Sequence, residues 1–152
     1  MNWLAFSEVP SVTGMGRLIA LAVLTIGACL WDLRFRQIPN RLTGPIAAAG
    51  LGLALLDGGW VGGGWAFAGL ASGAALFLLP VSLGYVGAGD LKMVAAAGTI
   101  LGPMGTLQGV LLGSVFGGIW AVLWIGVKGW GKANLPYAPP LALGVMVAFS
   151  II

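Results

Sequence analysis

The chain has no histidine, one cysteine and only four acidic residues in 152 positions. Without histidine, neither a Ser-His-Asp triad nor a Cys-His pair can be assembled within it. With only Cys29 to add, zinc sites of the usual His/Cys kind are excluded too. A lone cysteine forms no intramolecular disulfide and says nothing about redox compartment. Charge of either sign is scarce: 7% of residues are charged, against about a quarter in a soluble domain. That is too little polarity to cover a water-facing surface. The net charge of +3 is too small, and too close to apolar runs, to suggest nucleic acid as a partner.

What fills the chain instead is apolar: 59% of residues are hydrophobic and the mean hydropathy is +1.03. The long apolar runs read as membrane spans, each needing roughly 20 residues. Inside a bilayer only helices or a closed barrel satisfy the backbone, and the runs show no period-two alternation, so helices are expected. The expected fold is an all-α integral membrane protein, a bundle of about six transmembrane helices in a single domain over residues 1–152. The helices are placed at residues 12–31, 42–56, 65–83, 91–101, 107–127 and 141–152, the second being short for a full span. "GPMG", residues 102–105, is the turn between the fourth and fifth. "DGGWVGGG", residues 57–64, is the loop between the second and third.

The first apolar run imitates a signal peptide, but only Arg17 lies near its start and no small-residue cleavage site closes it. "IGAC", ending at Cys29, faintly resembles a lipidation box without the basic leader. A buried helix cysteine is the expectation there. With the N-terminus outside, Arg34, Arg36, Arg41, Lys92, Lys128 and Lys132 all fall on one side of the membrane and Arg17 on the other. The positive-inside rule makes the crowded side cytoplasmic. Trp31, Trp60, Trp65 and Trp130, near span ends, read as interfacial anchors. Gly105, Gly109, Gly113 and Gly117 recur every four residues and read as a packing strip, as do Gly98 with Gly102 and Gly69 with Gly73.

Two acids stand apart from this pattern. Asp32 ends the first helix at the inner face, and Asp90 begins the fourth at the same face, so the two carboxylates are free to meet. Asp90 alone could be a helix N-cap, with Lys92 either a snorkelling boundary lysine or a cation holding Asp90 ionised. Asp32 sits where the helix dipole disfavours negative charge, although Arg34 and Arg36 could neutralise it. Asp57 reads as a solvated turn residue, and Glu8 has no assigned role. Together, two close carboxylates sharing one proton supply both a base to activate water and an acid to polarise a carbonyl. Helix ends favour charge on Asp90 and the proton on Asp32, the arginines favour the reverse, and the pair titrates as a unit.

"WDLRFRQIPNRLT" (residues 31–43), "GAGDLKM" (87–93) and "LPYAPPLALG" (135–144), in that order, resemble the type IV prepilin peptidase family, membrane aspartyl proteases of the GxGD type. The resemblance runs from about residue 17 to the end. It implies Asp32 and Asp90 as the catalytic pair, in the inner (plasma) membrane with the active site at its cytoplasmic face. The implied reaction removes the basic leader from prepilin or pseudopilin substrates, just before their hydrophobic N-terminal helix. No cofactor is implied, and the partners are the substrate and membrane lipid; the oligomeric state is left open. Lys92 is a candidate substrate contact. Gly87, Gly89, Pro39 and Asn40 are turn residues, with Asn40 a candidate cap of the second helix. Larger members carry paired cysteines in the first loop and methylate the trimmed pilin; the short loop here resembles the small Flp/Tad-type form, lacking the methyltransferase domain. The rival readings are a transporter or pore subunit using the two acids as a proton relay, a Ser82–Lys92 hydrolase, and cleavage within a membrane helix.

Overall fold

A 43-residue α-helix built without interruption would be about 65 Å long, twice the thickness of a bilayer core. The chain contains one of that length and another nearly so, and breaks both at glycine. The computed structural model describes residues 12–35, 38–128 and 137–151. They form four helices: α1 (Val12–Phe35), α2 (Asn40–Ser82), α3 (Ala88–Lys128) and α4 (Ala138–Ile151). Stretches of α1, α2 and α3 are each long and apolar enough to cross a membrane, and α4 is a shorter apolar helix. The all-helical expectation is met among the described residues.

The breaks lie at Gly59 (φ 54°, ψ −141°) and Gly102 (φ 69°, ψ 179°). Both dihedral pairs are open to glycine and strained for a residue with a side chain. At Gly59 the chain folds back on itself, setting Gly62 against the carbonyl oxygen of Ala54 and Gly63 against the Leu55 side chain. The expected loop at 57–64 is therefore helical on both sides of a single residue. At Gly102 the expected four-residue turn shrinks in the same way. Pro103 opens the next stretch, a position where its missing N–H costs nothing.

Helix contacts fix the register. The second half of α2 runs antiparallel to the first half of α3, with Gly69 on the backbone of Gly98 and Gly73 on that of Val94. At the head of the same series a Cβ on Gly102 would lie 2.5 Å from Trp65 Nε1. Each four-residue step up α2 is matched by four residues down α3. The later part of α3 holds α4 by the same rule: Gly117 faces Tyr137, Gly113 faces Leu141 and Gly109 faces Val145. Gly144 answers from α4 by sitting on the backbone of Gly109 and Gly113. The glycine strip is thus the seat of α4. Leu21, Leu24, Met93, Val94, Leu141 and Val145, all nearly inaccessible, fill the core between α1, α3 and α4.

Three local expectations are corrected. Asn40 does not cap α2; Pro39 holds that position, and its carbonyl accepts the N–H groups of Leu42 (3.0 Å) and Thr43 (3.4 Å). Asp57 is not a solvated turn residue: it lies in α2 and pairs with Arg17 of α1, Nη2 to Oδ2 2.9 Å. Cys29 is half-buried rather than buried. Trp31, Trp60 and Trp65 are exposed, as anchors must be; Trp130, Arg36, Lys132 and Glu8 lie outside the described residues.

Gly69→Val and Gly98→Val should each force α2 and α3 apart and cost about 1–3 kcal/mol, the usual range for overpacking. Gly64→Ala, with open space around it, should leave the detergent-solubilised unfolding midpoint unchanged. Thermal unfolding of the three variants checks this.

Candidate active site

Asp32 lies in the last turn of α1, three residues before its end at Phe35, and Asp90 is the third residue of α3. Neither is a helix terminus. Asp90 is therefore not an N-cap; it belongs to the first turn, where an acid complements the helix dipole. Its backbone N–H donates to the Gly87 carbonyl at 3.1 Å, closing the turn that starts the helix. Its carboxyl group is hydrogen-bonded with the Gly87 backbone and is only 8% exposed.

The two glycines of "GAGD" do different work here. A Cβ on Gly87 would stand 3.7 Å from Asp90 Oδ2, so this residue forms the floor beneath the carboxylate. A Cβ on Gly89 would come within 3.1 Å of Ile38 N and 3.2 Å of Ile38 Cβ. Ile38, buried just ahead of α2, thereby packs the segment after α1 onto the start of α3. This contact seats the residue just before α2 against the first turn of α3, beside Asp90.

Asp32 is half-buried and accepts a hydrogen bond from the Ala138 N–H, 3.3 Å to Oδ2. Ala138 is the first residue of α4, and Pro139 and Pro140 follow it. Prolines have no N–H, so Ala138 holds the one first-turn amide available before Leu141, whose N–H turns back to the Tyr137 carbonyl at 3.4 Å. That donor is the site component that sequence reasoning missed. The signal was present in "YAPP", since two prolines leave a single amide to point outward.

Asp32, in the last turn of α1, and Asp90, in the first turn of α3, lie within electrostatic range of each other. No cation pairs with either one among the described residues, where Arg17–Asp57 is the only ion pair. Lys92 is exposed and does not pair with Asp90, because residues two apart on a helix point in different directions. Arg34 lies over the Phe35 ring, 5.6 Å from its centroid, rather than on Asp32. Ser82 is exposed and donates its hydroxyl to the Leu79 carbonyl at 2.8 Å, away from Lys92. An apolar groove of about 430 Å³ runs between α1 and α4, with Cys29 and Pro139 at its edge nearest Asp32 and Ala22 and Met146 farther along. No group of three or more acidic or cysteine residues gathers among the described residues.

Residues 19–122, which include both aspartates, match the type IV leader peptidase family. The chain belongs to this family. It is 30% identical over 139 residues to the prepilin leader peptidase/N-methyltransferase of Xanthomonas campestris pv. campestris, a match covering 86% of this chain and 48% of that protein. It is 31% identical over 152 residues to the prepilin leader peptidase/N-methyltransferase of Bacillus subtilis, covering 92% of this chain and 54% of that one. The chain thus spans about half the length of the curated relatives it matches. No solved structure matches it.

In this leader peptidase family member, Gly89→Leu should push Ile38 off α3 and loosen the first turn that carries Asp90. Hydrogen exchange of the 86–94 segment should rise relative to the parent, while Gly44→Ala, with open space around it, should leave it unchanged.

Proposed function

We propose that the protein is a membrane aspartyl endopeptidase that removes the basic leader from prepilin-like proteins at the cytoplasmic face. The observation that carries this reading is the pair itself. In a family member with no histidine, two carboxylates 58 positions apart lie within electrostatic range of each other at one end of the bundle. Taking Gly59 and Gly102 as reversals gives six crossings. Arg17 then lies about 22 Å from Asp32 along α1, by helical rise. Arg34, Arg41 and Lys92, all exposed, gather at the Asp32 end, so the positive-inside rule sets that end in the cytoplasm and the N-terminus outside.

The chemistry follows from two like charges that resist being ionised together in a semi-buried site. The pair holds one proton between its members. Each acid has one backbone hydrogen bond, from Ala138 to Asp32 and with Gly87 on Asp90, but Asp90 is the more deeply buried of the two. Loss of water costs its charged form more, and the proton then sits on Asp90. This reverses the helix-end assignment drawn from sequence. Asp32 takes a proton from a water molecule as the water oxygen attacks the scissile carbonyl, while Asp90 gives its proton to the carbonyl oxygen. The tetrahedral diol collapses when the C–N bond breaks. The proton held by Asp32 passes to the leaving nitrogen, and a hydroxyl proton returns to Asp90, which restores the starting state. Gly87 and Gly89 position Asp90. Lys92, exposed beside the site and not paired with it, is free to contact the substrate. The short segment between α1 and α2 supports a substrate of the Flp/Tad type, and methyl transfer is not part of the reading.

Asp32→Asn and Asp90→Asn should each slow processing of a coexpressed prepilin by about 10²- to 10⁴-fold, the range for losing a general acid or base. Ser82→Ala should process normally. Leader cleavage followed by gel shift and mass spectrometry checks this, and full processing by either Asn variant would refute the dyad.

A further inference from the structure

Asp32 depends on a single outward-pointing amide, and that amide belongs to a helix whose placement is decided elsewhere. The first residue before α4 is Tyr137, half-buried against the core. A Cβ on Gly117 would stand 2.8 Å from the Tyr137 Oη and 3.0 Å from its Cε2 and Cζ. The ring therefore lies directly over Gly117 of α3, in space that a side chain at that position would crowd. Tyr137 is adjacent in the chain to Ala138, whose N–H reaches Asp32 at 3.3 Å. The Tyr137 carbonyl also accepts the first α4 hydrogen bond, from Leu141.

We infer that Tyr137, seated on Gly117, is a positioning residue for Asp32: its ring pins the first turn of α4 so that the Ala138 amide meets the carboxylate. The inference rests on the assignment of Asp32 to the catalytic pair. Three features support it. Tyr137 comes at the end of the antiparallel series of Gly109, Gly113 and Gly117 against Val145, Leu141 and Tyr137, so it sets the register of α4 at the end where the site lies. Pro139 and Pro140 remove the neighbouring donors, so a tilt of the first turn has no second amide to offer in place of Ala138. Asp32 has no cation partner among the described residues that could compensate. Removal of the ring thus reaches the reaction through Asp32.

The test uses the full chain in detergent or native membranes with a purified prepilin, measuring kcat and KM separately. Tyr137→Ala should lower kcat by about 10- to 100-fold, the cost of losing a charge-assisted hydrogen bond, with KM within about twofold of the parent. Gly117→Val, which displaces the ring while keeping Tyr137, should give the same split. Tyr137→Phe, which keeps the ring and loses only the hydroxyl, should restore kcat. Combining Gly117→Ala with Tyr137→Leu, a smaller side chain over a larger floor, should recover activity relative to Gly117→Val. If Tyr137→Ala keeps the parent kcat, or loses activity only through KM, the positioning role is overturned. Asp32→Asn, run in parallel, separates the two levels. An inactive Asp32→Asn beside a fully active Tyr137→Ala defeats this inference and spares the dyad; an active Asp32→Asn defeats both.

Discussion

Close backbone approach at glycine is the constraint on which the rest of the structure depends. In a bilayer the hydrophobic effect does not drive helices together, so packing between backbones carries much of the association. Here Gly69 meets Gly98 backbone to backbone, and Gly144 meets Gly109 and Gly113. These contacts bind α2 to α3 and α3 to α4 in fixed antiparallel registers. The positions of Asp90 at the start of α3 and of Ala138 at the start of α4 follow from those registers. A site made of side chains from α1 and α3 and one amide from α4 is only as well defined as the three interfaces that align them.

The site itself is notable for what stabilises its charge. A carboxylate near lipid usually has a cation partner or a proton. Neither acid has an ion-pair partner among the described residues, and the ion pair that does exist, Arg17–Asp57, ties α1 to α2 at the other end of the bundle. One backbone amide on Asp32 and a hydrogen bond with the Gly87 backbone on Asp90 are what remain. This is a suitable poise for acid–base chemistry, because a firmly bound cation would hold both groups ionised and leave no proton to donate.

Much of this was legible from the residues. Sparse charge and long apolar runs point to membrane helices, and α1, α2 and α3 each contain a stretch long and apolar enough to cross a bilayer. Of the strip Gly105, Gly109, Gly113 and Gly117, the last three pack against α4 and the residue before it. Other features were hidden for physical reasons. A loop at 57–64 was expected because glycines cluster there, yet only Gly59 takes a left-handed conformation and its neighbours stay helical. The Arg17–Asp57 pair joins residues forty positions apart, which no local pattern reports. Lys92 seemed a natural partner for Asp90 in the linear sequence, but helical geometry turns it away. The Ala138 amide was overlooked because a backbone donor has no residue type to mark it; only the prolines after it gave a hint.

The central claim is that the carboxyl-bearing turns of α1 and α3 face each other. The most direct measurement is crosslinking of Asp32→Cys with Asp90→Cys, in a Cys29→Ser background, by a short bifunctional thiol reagent in native membranes. The account predicts an intramolecular link that forms only when both cysteines are present. Absence of that link, under conditions where Gly109→Cys and Val145→Cys join α3 to α4, would contradict it.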